Sequence, residues 1–165
     1  KHPKLHSIPI GLANPKWAHG NPSKMDDAIA QNHNKDNMIY CNFDIGTNPN
    51  ERSLCLEQTG LELHKRVPIE EYLEGVSKSY FCVSPNGNGI DCHKHWEAFY
   101  LKTIPIVTRS TNVEEYKDFP FLIIDSWSDY KNLNLSKELY EKIWNNFDTD
   151  LLKFNNYIKK YINTL

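Results

Sequence analysis

The chain has 165 residues, 39% hydrophobic and 12% aromatic, with 19 basic against 21 acidic side chains and a formal net charge of −2. That is enough chain for one domain with a buried core, and the near-balanced charge excludes a general nucleic-acid or membrane-surface binder while leaving room for a local basic pocket. No apolar run approaches the ~20 residues that a bilayer crossing needs, so no membrane segment is expected.

In chain order, Ser7-Ile8-Pro9-Ile10-Gly11-Leu12, within His6 to Ala13, reads as a first strand. A loop over Asn14 to Pro22 follows, and Ser23 is expected to cap a short helix carrying Met25, Ala28 and Ile29. Met38 to Phe43 is a second strand. Asn48-Pro49-x-Glu51 is close to a capping box, with Pro at the first helical position. Leu61 to Val67 is expected as a short strand. Pro68 then opens a helix whose Ile69, Tyr72, Leu73 and Val76 recur at helical spacing.

The densest information lies between Tyr80 and Ser110. Tyr80 to Ser84 is an apolar strand, and Pro85-Asn86-Gly87-Asn88-Gly89 is a loop in which glycine admits backbone shapes that other residues resist. Asp91 is expected to cap a helix carrying His93, Lys94 and Glu97, and Ile104 to Thr108 returns as a strand. On that helix Cys92, Trp96, Phe99 and Tyr100 share one arc and are expected to pack on the sheet. His93 and Glu97, one turn apart, share the adjoining face. Pro120 to Asp125 is the last strand. Two C-terminal helices within 136–165 follow, one apolar through Leu139, Tyr140, Ile143, Trp144 and Phe147, the other through Leu151, Phe154, Ile158, Tyr161 and Leu165.

Strands alternating with helices at this spacing predict an α/β domain over 1–165, a Rossmann-like parallel sheet with helices on both faces. Ligands of such sheets bind beyond the carboxyl ends of the strands, where strand order reverses, and the glycine loop after Ser84 falls at a strand end. Unbonded amides at a helix start suit a phosphate, and a carboxylate one turn on suits a ribose diol. A nucleotide diphosphate fits that order of groups. An NAD enzyme is disfavoured, because no Gly-x-Gly-x-x-Gly follows the first strand. Cys82, Cys92, His93 and His95 lack the paired spacing of a zinc site, so no metal is expected. Cys41, Cys55, Cys82 and Cys92 read instead as free thiols in a reducing compartment.

Phe81 to Ala98, continuing to Ile104-Pro105-Ile106-Val107, resembles the donor-binding core of exostosin-like glycosyltransferases. That family pattern runs strand, Ser-Pro-x-Gly, a small or acidic cap, Arg-x-x-Glu-Ala, then Gly-x-Ile-Pro-Val. Phe119-Pro120-Phe121 through Ser126-Trp127 is similar to the family's next segment. Pro9 to Asn14 and Thr47-Asn48-Pro49-x-x-Arg52 look like a divergent large-virus and microbial branch. The resemblance covers positions 8–130 and is specific between 80 and 127. It implies one half of a GT-B fold, binding a nucleotide-diphosphate sugar for transfer to a glycan or protein acceptor, with no cofactor beyond that substrate.

Carried onto this chain, the resemblance gives Glu97 the ribose, Arg52 and Lys94 the pyrophosphate, and His93 a hydrogen bond. Ser84, Asn86, Gly87 and Asn88 would lie beneath the phosphates, and Ser110 and Asn112 near donor or acceptor. Lys94 stands where the family favours Arg, which keeps charge but loses the bidentate fork. Lys102 stands where it favours Gly, so the helix end is expected to be capped differently. The general base normally comes from the other GT-B half, which is the expected partner, so no catalytic base is assigned. The expected location is the cytoplasm, or the Golgi lumen for a fragment of a membrane-anchored protein. A non-catalytic phosphate-binding or protein-interaction module of the same fold is the alternative.

Overall fold

The computed structural model describes residues 7–161, apart from the side chains of Ala18 and Tyr161. Four parallel strands form one sheet in the order β1-β2-β3-β4: β1 (Asn37–Tyr40), β2 (Ser79–Val83), β3 (Ile104–Thr108) and β4 (Leu122–Ile124). Tyr40 pairs with Cys82, Cys82 with Pro105, and Ile106 with Leu122. The helices are α1 (Pro22–Gln31), α2 (Pro49–Thr59), α3 (Ile69–Ser77), α4 (His93–Tyr100), α5 (Thr111–Glu115), α6 (Lys137–Trp144) and α7 (Phe154–Tyr161).

Alternation along the strands explains why both faces are covered. Phe81, Val83, Ile104 and Ile106, all 0% exposed, point to one side and pack with Cys55 of α2, Trp127 and residues of α6. Cys82 points to the other side, where Leu73 and Val76 of α3 and Ala98 of α4 meet it. Val107 packs there with Trp96 and Phe99 of α4 and Val113 of α5. Each such side chain contributes about 1.5–3 kcal/mol by leaving water. A one-residue slip would turn the whole set to the wrong side, which fixes the register. The result is an α/β sheet flanked by helices, consistent with a Rossmann-like fold.

Several expectations are corrected. Ser7 to Leu12 is not a strand; His6 lies outside the described residues. Pro9 has no amide to give a ladder, Ile8 and Ile10 are exposed, and the Ile10 amide donates to the Asp91 carboxylate at 2.9 Å. The segment is therefore a strap lying over the start of α4. Leu61 to Val67 is also irregular: the His64 amide donates to the Cys41 carbonyl at 2.9 Å, and Leu61 and Leu63 pack against the core on the sheet face. Among the described residues the strand order runs monotonically, so no reversal marks a ligand crevice.

The caps differ as well. Asn21, not Ser23, caps α1, its Oδ1 accepting from the Ser23 amide at 3.0 Å. Cys92, not Asp91, is the N-cap of α4. The Asp91 carboxylate instead accepts from Ile10 N, Trp96 Nε1 and Tyr116 Oη. The Asn48–Pro49 start of α2 stands as expected, with Asn48 Oδ1 accepting from the Glu51 amide at 3.4 Å. Lys102 takes a left-handed backbone (φ 57°) at the end of α4, the conformation a glycine there would adopt at lower cost. Phe154, expected on the apolar face, is 60% exposed, and Tyr157, which was not expected there, is buried in the core; Leu165 lies outside the described residues. The reason is a break: Leu151 belongs to a separate 3-10 turn (Thr149–Leu152), so its register does not continue into α7.

Candidate functional site

A cleft of about 1230 Å³ opens at the carboxyl ends of β1 and β2. Its walls come from the strap, the segment after β1, the start of α2, the irregular segment 61–68, α3, the glycine loop and the first turns of α4. Arg52, Gly87, Asn88, His93, Lys94 and Glu97 all line it. Ser84, Asn86, Ser110 and Asn112 do not. Ser84 is 1% exposed, with a hydroxyl that has no partner among the described residues. Ser110 is the N-cap of α5, accepting from the Val113 amide at 3.3 Å, and Asn112 lies within that helix.

The glycine loop is pinned from below. Arg52 Nε donates to the Asn86 carbonyl at 3.0 Å and Arg52 Nη1 to the Asp44 carbonyl at 2.5 Å. Asn48 Nδ2 donates to the Gly87 carbonyl at 3.0 Å. The Gly87 amide turns inward to Cys92 Sγ and the Gly89 carbonyl, both at 3.1 Å, so it is not offered to the cleft. A Cβ on Gly87 would sit 3.1 Å from Arg52 Nη2, which explains a glycine where guanidinium and backbone approach closely. The His93 and Lys94 amides open α4 and have no acceptor among the described residues, as expected for the first turn of a helix.

Two cations, Arg52 and Lys94, stand at this end with no ion pair to a carboxylate among the described residues. Lys94 Nζ donates to the Asn42 carbonyl and lies over the rings of Tyr72 and Tyr40, at 5.3 and 5.9 Å from their centres. Burial lowers the pKa of both cations. Exposed Arg66 adds a third positive charge to the lining. The cleft is thus cationic at one end in a chain that is slightly acidic overall.

Glu97 is 4% exposed and accepts from the Tyr72 hydroxyl through Oε2 at 2.8 Å. Burial raises its pKa, against the pull of that hydrogen bond and of Lys94, His19 and His93. His93 Nδ1 lies 2.8 Å from the Gly11 carbonyl, which can only accept, so Nδ1 carries the proton. Its Nε2 then donates to a ligand only when the ring is protonated, which narrows the donor role expected for His93. Asp91 is not free for a ligand. Burial raises its carboxyl, but the nearby His95 ring, 3.8 Å away, and the bonds from the Ile10 amide and the Trp96 indole outweigh this and leave it below the usual range.

Tyr72, Asn42 and Arg66 are site residues that the sequence reading did not single out. Tyr72 was legible as a core position of α3, but its bond to Glu97 joins residues 25 apart in the chain. His19 lines the cleft. Trp17, in the loop before α1, is 54% exposed. Asp125 pairs with Arg109 at 2.6 Å, away from the cleft. Among the described residues no group of three or more His, Cys, Asp or Glu is arranged to hold a metal, and no helix is long and apolar enough to cross a membrane. No protein-family model matches the chain, and no curated protein sequence matches it.

Proposed function

We propose that this chain is the donor-binding domain of a glycosyltransferase, holding a nucleotide-diphosphate sugar for transfer to a glycan or protein acceptor. One observation carries the reading: Arg52, Lys94 and Glu97 line one cleft, beside the unbonded amides that open α4. A diphosphate needs positive charge and N–H donors together, and a helix start supplies the donors. A ribose diol needs an acceptor, which Glu97 offers through the oxygen that Tyr72 leaves free. The cleft exceeds the ~300–1,000 Å³ of typical small-molecule sites, leaving room for an acceptor beside the donor.

On this reading the diphosphate is the leaving group, and its developing charge is met by the α4 amides, Arg52 and Lys94 without a metal. Burial lowers the pKa of Lys94, and a phosphate beside it favours the charged form. Glu97 positions the nucleoside and takes no proton from the acceptor. The base comes from a second GT-B half, the proposed partner. Cys41 and Cys82, whose thiols burial pushes up to about 11, suit a reducing compartment, so we place the domain in the cytoplasm rather than the Golgi lumen.

A non-catalytic phosphate-binding module is favoured by one observation. Arg52 directs two of its donors to loop carbonyls, which is a structural use of a cation. A crystal structure with UDP or GDP separates the readings. Diphosphate density at the start of α4 with the ribose on Glu97 supports the donor domain. A phosphate there with the nucleoside pointing away from Glu97 supports the module, and nucleotide density elsewhere removes both.

A further inference from the structure

We propose a second activity for this cleft: Lys94 forms a reversible imine with the carbonyl carbon of a small phosphorylated aldehyde or ketone, and Glu97 supplies the proton that expels water. This activity does not depend on the donor reading. Lys94 and Glu97 stand three residues apart on α4, the spacing that puts two side chains on one helix face, and both line the cleft. Aromatic rings cover the ammonium group on two sides, and its hydrogen bond goes to a neutral carbonyl.

The groups facing Lys94 are Cys82, Glu97, Cys41, Arg52, Tyr40 and Tyr72. Burial dominates among them and the Arg52 charge adds to it, so the Lys94 pKa is lowered, against the pull of Cys82, Glu97 and Cys41. A desolvated lysine next to another cation is a recurrent way of making an amine nucleophilic near neutral pH. Glu97 is displaced the opposite way, toward its protonated form. Opposite displacement of an amine and a neighbouring acid is how the roles of nucleophile and proton donor are divided in imine formation.

The step balances without a co-reactant. The Nζ lone pair attacks the carbonyl carbon, the C–N bond forms, and the carbonyl π pair moves to oxygen, which takes the amine proton to give a carbinolamine. Glu97 protonates that hydroxyl, water leaves, and the second amine proton returns to the Glu97 carboxylate as the C=N bond forms. Tyr72 holds the other carboxyl oxygen in place at 2.8 Å. The phosphate of the ligand rests on Arg52 and the α4 amides.

Lys35 makes the test selective. Burial lowers its pKa to about 7, yet its Nζ donates to Leu101 O and Thr103 Oγ1 and it is not part of the cleft lining. A lowered pKa alone would bring labelling to Lys35 as well; the cleft directs it to Lys94. The full chain is treated with pyridoxal 5′-phosphate, reduced with borohydride and mapped peptide by peptide. The adduct is expected to concentrate on Lys94 and to be lost in Lys94→Arg, with formation slowed in Glu97→Gln. Pyridoxal without the phosphate reacts about tenfold more slowly, equivalent to about 1.4 kcal/mol of anchoring.

Label spread over exposed lysines such as Lys65 and Lys117, or collected on Lys35, overturns the proposal. If Lys94→Arg does not fold, the wild-type map alone decides. Nucleotide-sugar binding is a separate titration. An adduct at Lys94 without nucleotide binding sustains the imine and removes the donor reading, and nucleotide binding without the adduct does the reverse.

Discussion

The Tyr72 hydroxyl donates to Glu97 Oε2 at 2.8 Å, joining α3 to α4 beside the cleft. One carboxyl oxygen is thereby fixed and the other left to a ligand. Removing the hydroxyl in Tyr72→Phe leaves a buried carboxylate short of one donor. The expected loss is about 1 kcal/mol of stability, read by urea denaturation, together with weaker donor binding. An unchanged urea midpoint with unchanged binding would mean that the bond orients nothing.

Arg52 ties α2 to the glycine loop through the Asn86 and Asp44 carbonyls. Arg52→Ala leaves two partly buried carbonyls without their donor, and the predicted cost is about 1–2 kcal/mol in urea unfolding. Arg52→Lys keeps the charge but cannot reproduce the fork, so it should recover nucleotide binding better than stability. Equal recovery of both would count against the division of roles.

Gly75 lies in α3, where an added Cβ would stand 2.6 Å from the Tyr40 ring. Gly75→Ala must push that ring, which flanks Lys94. A loss of about 1–3 kcal/mol is expected from overpacking, seen as a lower melting temperature. Donor affinity should fall with it, because the displaced ring borders the cation. A melting temperature at or above that of the wild type would show that Tyr40 has room to yield.

Lys35 gives a pH signature. Its folded pKa is lowered from 10.5 to about 7, chiefly by burial. Between those values the unfolded chain holds a proton that the folded chain lacks, so stability rises with pH across this window. Above 10.5 both states are neutral, and below about 7 both are charged, with the folded state bearing the full burial penalty. Urea midpoints between about pH 7 and 9 should therefore climb in the wild type and climb less in Lys35→Met. Parallel slopes would contradict the buried assignment of this lysine.

The core of the fold was legible because its signals are local. Phe81 to Val83 and Ile104 to Val107 are apolar runs of strand length, and Leu73 and Val76 sit at helical spacing. The Asn48–Pro49 cap is a short-range pattern that needs no tertiary context. Where the reading failed, the deciding contact was distant. Ser7 to Leu12 has strand composition, yet it is held by Asp91, which lies 81 residues from Ile10. Cys92 rather than Asp91 caps α4 because Trp96, Tyr116 and Ile10 claim the aspartate. Ser110 carried the signature of a helix cap, and the short α5 behind it was hidden between two strong strands. The cations of the cleft were visible as residue types. Their lack of an ion pair among the described residues was not, since that is a property of the space around them.

The central claim is that one cleft recognises a diphosphate and a sugar-ring diol together, and titration calorimetry tests it most directly. The folded chain is titrated with UDP-sugars, GDP-sugars and NAD, beside the Glu97→Ala and Lys94→Ala variants. The account predicts saturable binding of one nucleotide-sugar class, weakened at least about tenfold in each variant. A folded protein that binds NAD but no nucleotide sugar, or that binds none of them, contradicts it.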